Sequence, residues 1–189
     1  MEIVSPIPSR GSRFPNERLG LFMTGLIIAA VALLGMRSID WFFLKKLLTH
    51  RFPKVEWIST RELADWLEDK RRPAPMLLDV RMLEEWDVSH LPGARRVDPS
   101  AAVETVGAGM AKDTPIVTYC AVGYRSGDMA TRLRAAGFTN VRNLEGSIFE
   151  WANEHRPLIR GDERVSRVHP YNALWGRLLA EDVRAPLKK

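Results

Sequence analysis

The chain has 189 residues with 28 Lys/Arg, 23 Asp/Glu, a formal net charge of +5 and one cysteine. The basic excess sits in the flanks: residues 1–54 carry 8 Lys/Arg against 3 Asp/Glu and residues 158–189 carry 7 against 4, whereas residues 55–157 carry 13 against 16. No basic stripe crosses the central segment, which excludes nucleic acid as a partner, and one Cys with four scattered histidines (His50, His90, His155, His169) excludes a zinc site.

Residues 1–18 hold Pro6, Pro8, Pro15 and Gly11 among Ser and Arg and read as a disordered tail. Residues 19–36 are eighteen in a row without a charge. A helix needs about 20 apolar residues to cross a bilayer, with about 17 as the lower limit, so this stretch predicts one transmembrane helix. Trp41, Phe42 and Phe43 followed by Lys45 and Lys46 resemble an interfacial belt, so lipid contact is expected across residues 19–46, and residues 37–54 read as a juxtamembrane helix or linker. A cleaved signal peptide competes, because Ala30-Val31-Ala32 resembles a cleavage site. That triplet lies inside the apolar run, which favours an uncleaved anchor. Arg10, Arg13 and Arg18 precede the span, and Arg37, Lys45, Lys46, Arg51 and Lys54 follow it. The excess puts the C-terminal side on the cytoplasmic face, and a lone thiol suits that reducing compartment.

From residue 55 the pattern alternates. Val55 to Ile58 reads as a strand, and Ser59 with Glu62 makes a capping box for a helix through about Lys70. Met76 to Val80 is an apolar strand, Leu83 to Val88 a short helix, Ala94 to Val97 a strand and Ala101 to Val106 a helix. Ile116 to Tyr119 is the central strand, Ser126 to Ala136 a helix stopped by Gly137, Val141 to Leu144 the last strand and Ser147 to Glu154 the last helix. The alternation predicts an α/β domain over residues 55–157, with a five-stranded, mostly parallel sheet covered by helices on both faces. Residues 158–189 form an extension in which Leu174, Trp175, Leu178 and Leu179 follow helical spacing. That helix packs on the domain or offers a surface to a membrane or partner.

Cys120 lies in Tyr119-Cys120-Ala121-Val122-Gly123-Tyr124-Arg125-Ser126, between a strand end and a helix start. Backbone N–H groups converge at such a junction and the helix dipole is positive there, which favours a thiolate over a thiol. Gly123 lets the backbone turn so that the amides from Ala121 to Ser126 can face the sulfur.

These residues resemble a single-domain rhodanese. The resemblance rests on Leu77-Leu78-Asp79-Val80-Arg81, on Glu85-Trp86-Asp87-Val88-Ser89-His90-Leu91-Pro92-Gly93-Ala94, on the Cys120–Ser126 loop, and on Asn143 to Ile148 with Trp151. It implies a sulfurtransferase, held at the membrane by the span expected at residues 19–36, in which Cys120 carries sulfane sulfur as a persulfide, with Ala121, Val122, Gly123, Tyr124, Arg125 and Ser126 forming the substrate loop. Its partners would be a small sulfur donor and a thiol, cyanide or protein acceptor, and no cofactor or metal is implied. By the same resemblance Asp79 and Arg81 shape the site and His90 is structural. Arg125 either adds positive charge near the sulfur or ion-pairs with an acid of the domain. Two departures stand out. Ser89 replaces the usual Gly, and Ala121 and Val122 are uncharged where thiosulfate-using members place basic residues. Related phosphatases have Cys-x5-Arg, and the Cys-x4-Arg spacing here favours sulfur over phosphate. The alternative is a non-catalytic rhodanese-like scaffold or a redox-sensing module at the membrane.

Overall fold

The computed structural model describes residues 41–187. The expected tail and membrane span, residues 1–36, lie outside the described residues. Among the described residues, no helix is long and apolar enough to cross a membrane.

Five strands make one sheet: β1 (Glu56–Ile58), β2 (Met76–Asp79), β3 (Arg95–Arg96), β4 (Ile116–Tyr119) and β5 (Val141–Leu144). Their order is β1-β5-β4-β2-β3. Every pairing is parallel, with Met76 opposite Ile116 and Ile116 opposite Val141, so the expected sheet is wholly rather than mostly parallel. Alternating side chains on β4 divide the interior. Val117 and Tyr119 enter one apolar cluster and Ile116 enters the other. Leu63 and Trp66 of α2 (Thr60–Glu68) and Ile148 and Phe149 of α6 (Ser147–Asn153) cover the first face. Val103 and Val106 of α4 (Val103–Val106) and Met129 and Leu133 of α5 (Tyr124–Ala135) cover the second. The short α3 (Leu83–Trp86) follows β2. At α2 the Ser59 hydroxyl accepts from the Glu62 N–H, and the Glu62 carboxylate accepts from the Ser59 N–H at 2.9 Å. This is the capping box anticipated from the sequence.

Several elements refine or depart from expectation. Residues 41–51 form a helix, α1, the first of the two alternatives expected there, and it packs on the folded body. Trp41, Leu44 and Leu48 recur at helical spacing and form an inward stripe, with Leu48 and Phe52 buried. Lys45 meets Glu150 at 2.9 Å and Glu145 at 3.7 Å. Of the residues expected to touch lipid, Trp41, Leu44 and Lys45 therefore face protein, while Phe42 and Phe43 remain exposed. α5 begins at Tyr124, two residues before its expected start, because Gly123 turns the chain directly into the helix at φ +112°.

The extension also departs. A hairpin of β6 (Leu158–Arg160) and β7 (Glu163–Val165), turning at Gly161, is unmarked by any strand signal in the sequence reading. The expected helix shrinks to a single 3₁₀ turn, Trp175–Leu178. Gly176 within it lies against Pro170, and the Asn172 side chain accepts from the Trp175 N–H at 3.0 Å, so local capping and close packing favour a tight turn over a propagated helix. The extension is still part of the core, since Leu158, Val168, Leu178, Leu179 and Val183 are buried in the first apolar cluster.

Candidate active site

Cys120 immediately follows β4. Its N–H donates to Ser147 Oγ at 3.2 Å, and its carbonyl accepts from the Ile148 N–H at 3.2 Å. Both peptide groups are thus tied to the start of α6. Ser147 holds a positive φ of 50°, a conformation that a non-glycine residue keeps only when its surroundings impose it. Three residues on, the Gly123 N–H donates to Cys120 Sγ at 3.2 Å. A Cβ at Gly123 would lie 3.3 Å from the Trp57 ring and 3.4 Å from Leu48, so the turn requires glycine for both its dihedral and its close packing. Asn143 Nδ2 donates to the Gly123 carbonyl at 2.9 Å, and Thr118 Oγ1 lies 3.2 Å from Asn143 Oδ1. The loop is therefore braced by side chains on β4 and β5.

The thiol is only 1 % exposed and borders a cavity of about 150 Å³. The lining is Cys120, Ala121, Val122, Tyr124, Arg125, Tyr171 and Trp175. Of the expected loop, Gly123 and Ser126 back the cavity without lining it, and Ser126 is fully buried. Arg125 donates to both carboxylate oxygens of Glu85, at 2.6 and 2.8 Å. Burial acts to lower the Arg125 pKa, but the Glu85 hydrogen bonds and the negative fields of Cys120 and Glu85 outweigh it and hold the guanidinium firmly protonated. The Arg125 guanidinium also stacks over the Tyr171 ring, 5.0 Å from its centroid.

Asp79 and Arg81 form a fully buried ion pair with Nη2–Oδ2 at 2.6 Å, and neither lines the cavity. Arg81 Nη2 also donates to the Ser89 carbonyl at 2.6 Å. The pair therefore braces the segment after α3 instead of facing a substrate, and it acts at a distance by fixing the chain that carries Glu85. His90 stacks on Trp86 with ring centroids 3.5 Å apart, and burial pushes its pKa down from the ordinary value.

A loop built on a buried cysteine between a parallel strand and a helix agrees with the match of residues 59–154 to the rhodanese-like domain. The chain belongs to the rhodanese-like family. It is 39 % identical over 107 residues to the probable adenylyltransferase/sulfurtransferase MoeZ of Mycobacterium tuberculosis, which covers 55 % of this chain and 26 % of that protein. It is 30 % identical over 108 residues to the tRNA uridine(34) hydroxylase of Escherichia coli, covering 53 % of this chain and 29 % of that one. The chain thus aligns with less than a third of the length of either relative. Among solved structures it resembles the solution structure of a rhodanese-like domain from Anabaena, at 25 % identity and a TM-score of 0.51, covering 62 % of this chain and 89 % of that one.

Two parts of this rhodanese-like site escaped the sequence reading. Glu85 stood inside a quoted motif, but nothing in its spacing marked it as the partner of Arg125. Tyr171 and Trp175 lie beyond residue 154, where the rhodanese-like match ends; the spacing of Trp175 suggests only a helix face, and nothing in the sequence singles out Tyr171.

Proposed function

We propose that the protein is a sulfurtransferase that carries sulfane sulfur as a persulfide on Cys120 and passes it to a thiol, cyanide or protein acceptor. The observation that carries this reading is the Gly123 N–H directed at Cys120 Sγ at 3.2 Å, at the edge of a small, mostly apolar cavity. The thiolate is the reactive form of cysteine. It attacks the outer sulfur of a donor, the donor's bond to that sulfur breaks and the rest of the donor leaves with the electron pair, and the resulting Cys120–S–S⁻ holds its charge beside the Gly123 N–H, shielded from bulk water. An acceptor nucleophile then removes the outer sulfur and regenerates the thiolate. The sulfurtransferase named among the relatives supports the same chemistry. Phosphate transfer fits less well, because both terminal nitrogens of Arg125 are already engaged by Glu85.

The reading is tested by sulfur transfer to cyanide. Native protein is expected to form thiocyanate from at least one donor, and Cys120→Ser to form none while keeping the native circular dichroism spectrum. Equal turnover by the variant would refute a role for Cys120.

The 1 % exposure of Cys120 favours a second reading, a scaffold that does not turn over, and weighs against a redox-sensing module, which needs an accessible thiol. Absence of thiocyanate with every donor tried would favour it. We further propose that residues 19–36 anchor the chain as a single span, with the rhodanese-like domain on the cytoplasmic face. Detergent is expected to release the protein from membranes, and alkaline carbonate is not. Release by high salt alone would contradict the anchor.

A further inference from the structure

The cavity at Cys120 is closed partly by the C-terminal extension. Tyr171 and Trp175 line it together with the Cys120 loop, although both lie outside the segment that matches the family. Tyr171 is held at φ +64°, a strained conformation for an aromatic residue, and its N–H donates to His169 Nδ1 at 3.1 Å. Strain at a cavity wall indicates a side chain positioned by its surroundings. The charge balance of the cavity points the same way. Among the described residues that line it, the one cationic side chain, Arg125, is bound bidentately by Glu85 and covered by the Tyr171 ring. Ala121 and Val122 add no charge. A dianion such as thiosulfate would have to seat its sulfonate against aromatic walls with no free counter-ion among those residues, and burying a charge unpaired is costly.

We propose that Tyr171 and Trp175 determine donor specificity, selecting an organic persulfide, R–S–SH, whose apolar R group lies against the two rings, over thiosulfate. The proposal rests on the sulfurtransferase reading and assigns its donor class. The Cys120 thiolate attacks the outer sulfur of R–S–SH. A Cys120–S bond forms, the donor S–S bond breaks, and its electron pair departs on R–S⁻. The proton passes from the transferred sulfur to R–S⁻, giving Cys120–S–S⁻ and R–SH, and no oxidant or reductant is consumed.

The test measures rates of Cys120 persulfidation by mass spectrometry, with benzyl persulfide, whose R group is an apolar ring, and with thiosulfate, in native protein, Tyr171→Ala, Tyr171→Phe and Trp175→Ala. Native protein is expected to favour the persulfide by about tenfold or more, the range that pocket contacts of this kind supply. Tyr171→Ala and Trp175→Ala should each narrow that ratio, and Tyr171→Phe should restore it. A native protein that reacts faster with thiosulfate, or a ratio unmoved by both alanine variants, overturns the donor assignment and leaves the sulfurtransferase reading standing. Failure to take sulfur from either donor overturns both.

Discussion

Arg125 and Glu85, 40 residues apart in sequence, are joined by two hydrogen bonds of 2.6 and 2.8 Å. The pair ties the first turn of α5 to α3, and so fixes one wall of the Cys120 cavity against the strand-following segment that Asp79 and Arg81 brace. It also resolves the two roles open for Arg125 in the sequence: the guanidinium is an ion-pair partner that borders the cavity.

The two ends of this pair are buried unequally. The Glu85 side chain is 1 % exposed and that of Arg125 is 22 % exposed. Arg125→Met strands a buried carboxylate and should cost about 3–5 kcal/mol. Glu85→Gln leaves a cation that can still reach water and should cost less, about 1–2 kcal/mol. Urea denaturation of both variants checks the order, and equal losses would mean that Glu85 reaches solvent.

Neither end of the Asp79–Arg81 pair reaches water. Removing one partner, as in Asp79→Ala, should cost about 3–5 kcal/mol, whereas replacing both by apolar residues of similar volume should cost less than the single change. Denaturation midpoints of the single and double variants decide this. A double variant worse than the single would show that the hydrogen bond from Arg81 to Ser89 outweighs the charge pairing.

The parallel sheet was legible in the sequence because strands alternate with helices and the central strands at Met76–Asp79 and Ile116–Tyr119 read as largely apolar runs, the mark of strands buried on both faces. Met76–Asp79, Ile116–Tyr119 and Val141–Leu144 fall at or within one residue of their expected limits. Cys120 was legible through its place between β4 and α5. Glu85, Tyr171 and Leu48 were not. Each reaches the loop through a long-range contact, and one-dimensional periodicity carries no information about which distant side chain closes a cavity. The packing of α1 was not legible, because an apolar stripe next to a longer apolar run looks alike whether it faces lipid or a protein core.

Leu48 links α1 to the Cys120 loop through Gly123. Leu48→Ala should cost about 2–5 kcal/mol, as for other buried leucines, and should also slow sulfur uptake by Cys120 under conditions where the variant remains folded. Stopped-flow or quenched mass measurements, paired with a denaturation curve, separate the two effects. An unchanged rate would show that the loop holds its shape without α1.

His90 contributes to the pH dependence of stability just below neutrality. Burial lowers its pKa in the folded protein below the ordinary 6.5. Between the folded value and 6.5 the unfolded chain binds more protons, so this contribution to stability is full above 6.5 and is lost as pH falls through that window. His90→Gln is expected to flatten the slope of stability against pH between the two values. A slope unchanged in the variant would assign the effect to another group.

The account depends on Cys120 accepting one sulfur atom and giving it up again. The direct measurement is the intact mass of the protein after exposure to cysteine persulfide, followed by peptide mapping and by treatment with cyanide. One added sulfur on the peptide containing Cys120, removed by cyanide, is the expected result. An unmodified Cys120, or sulfur that cyanide does not discharge, would contradict it.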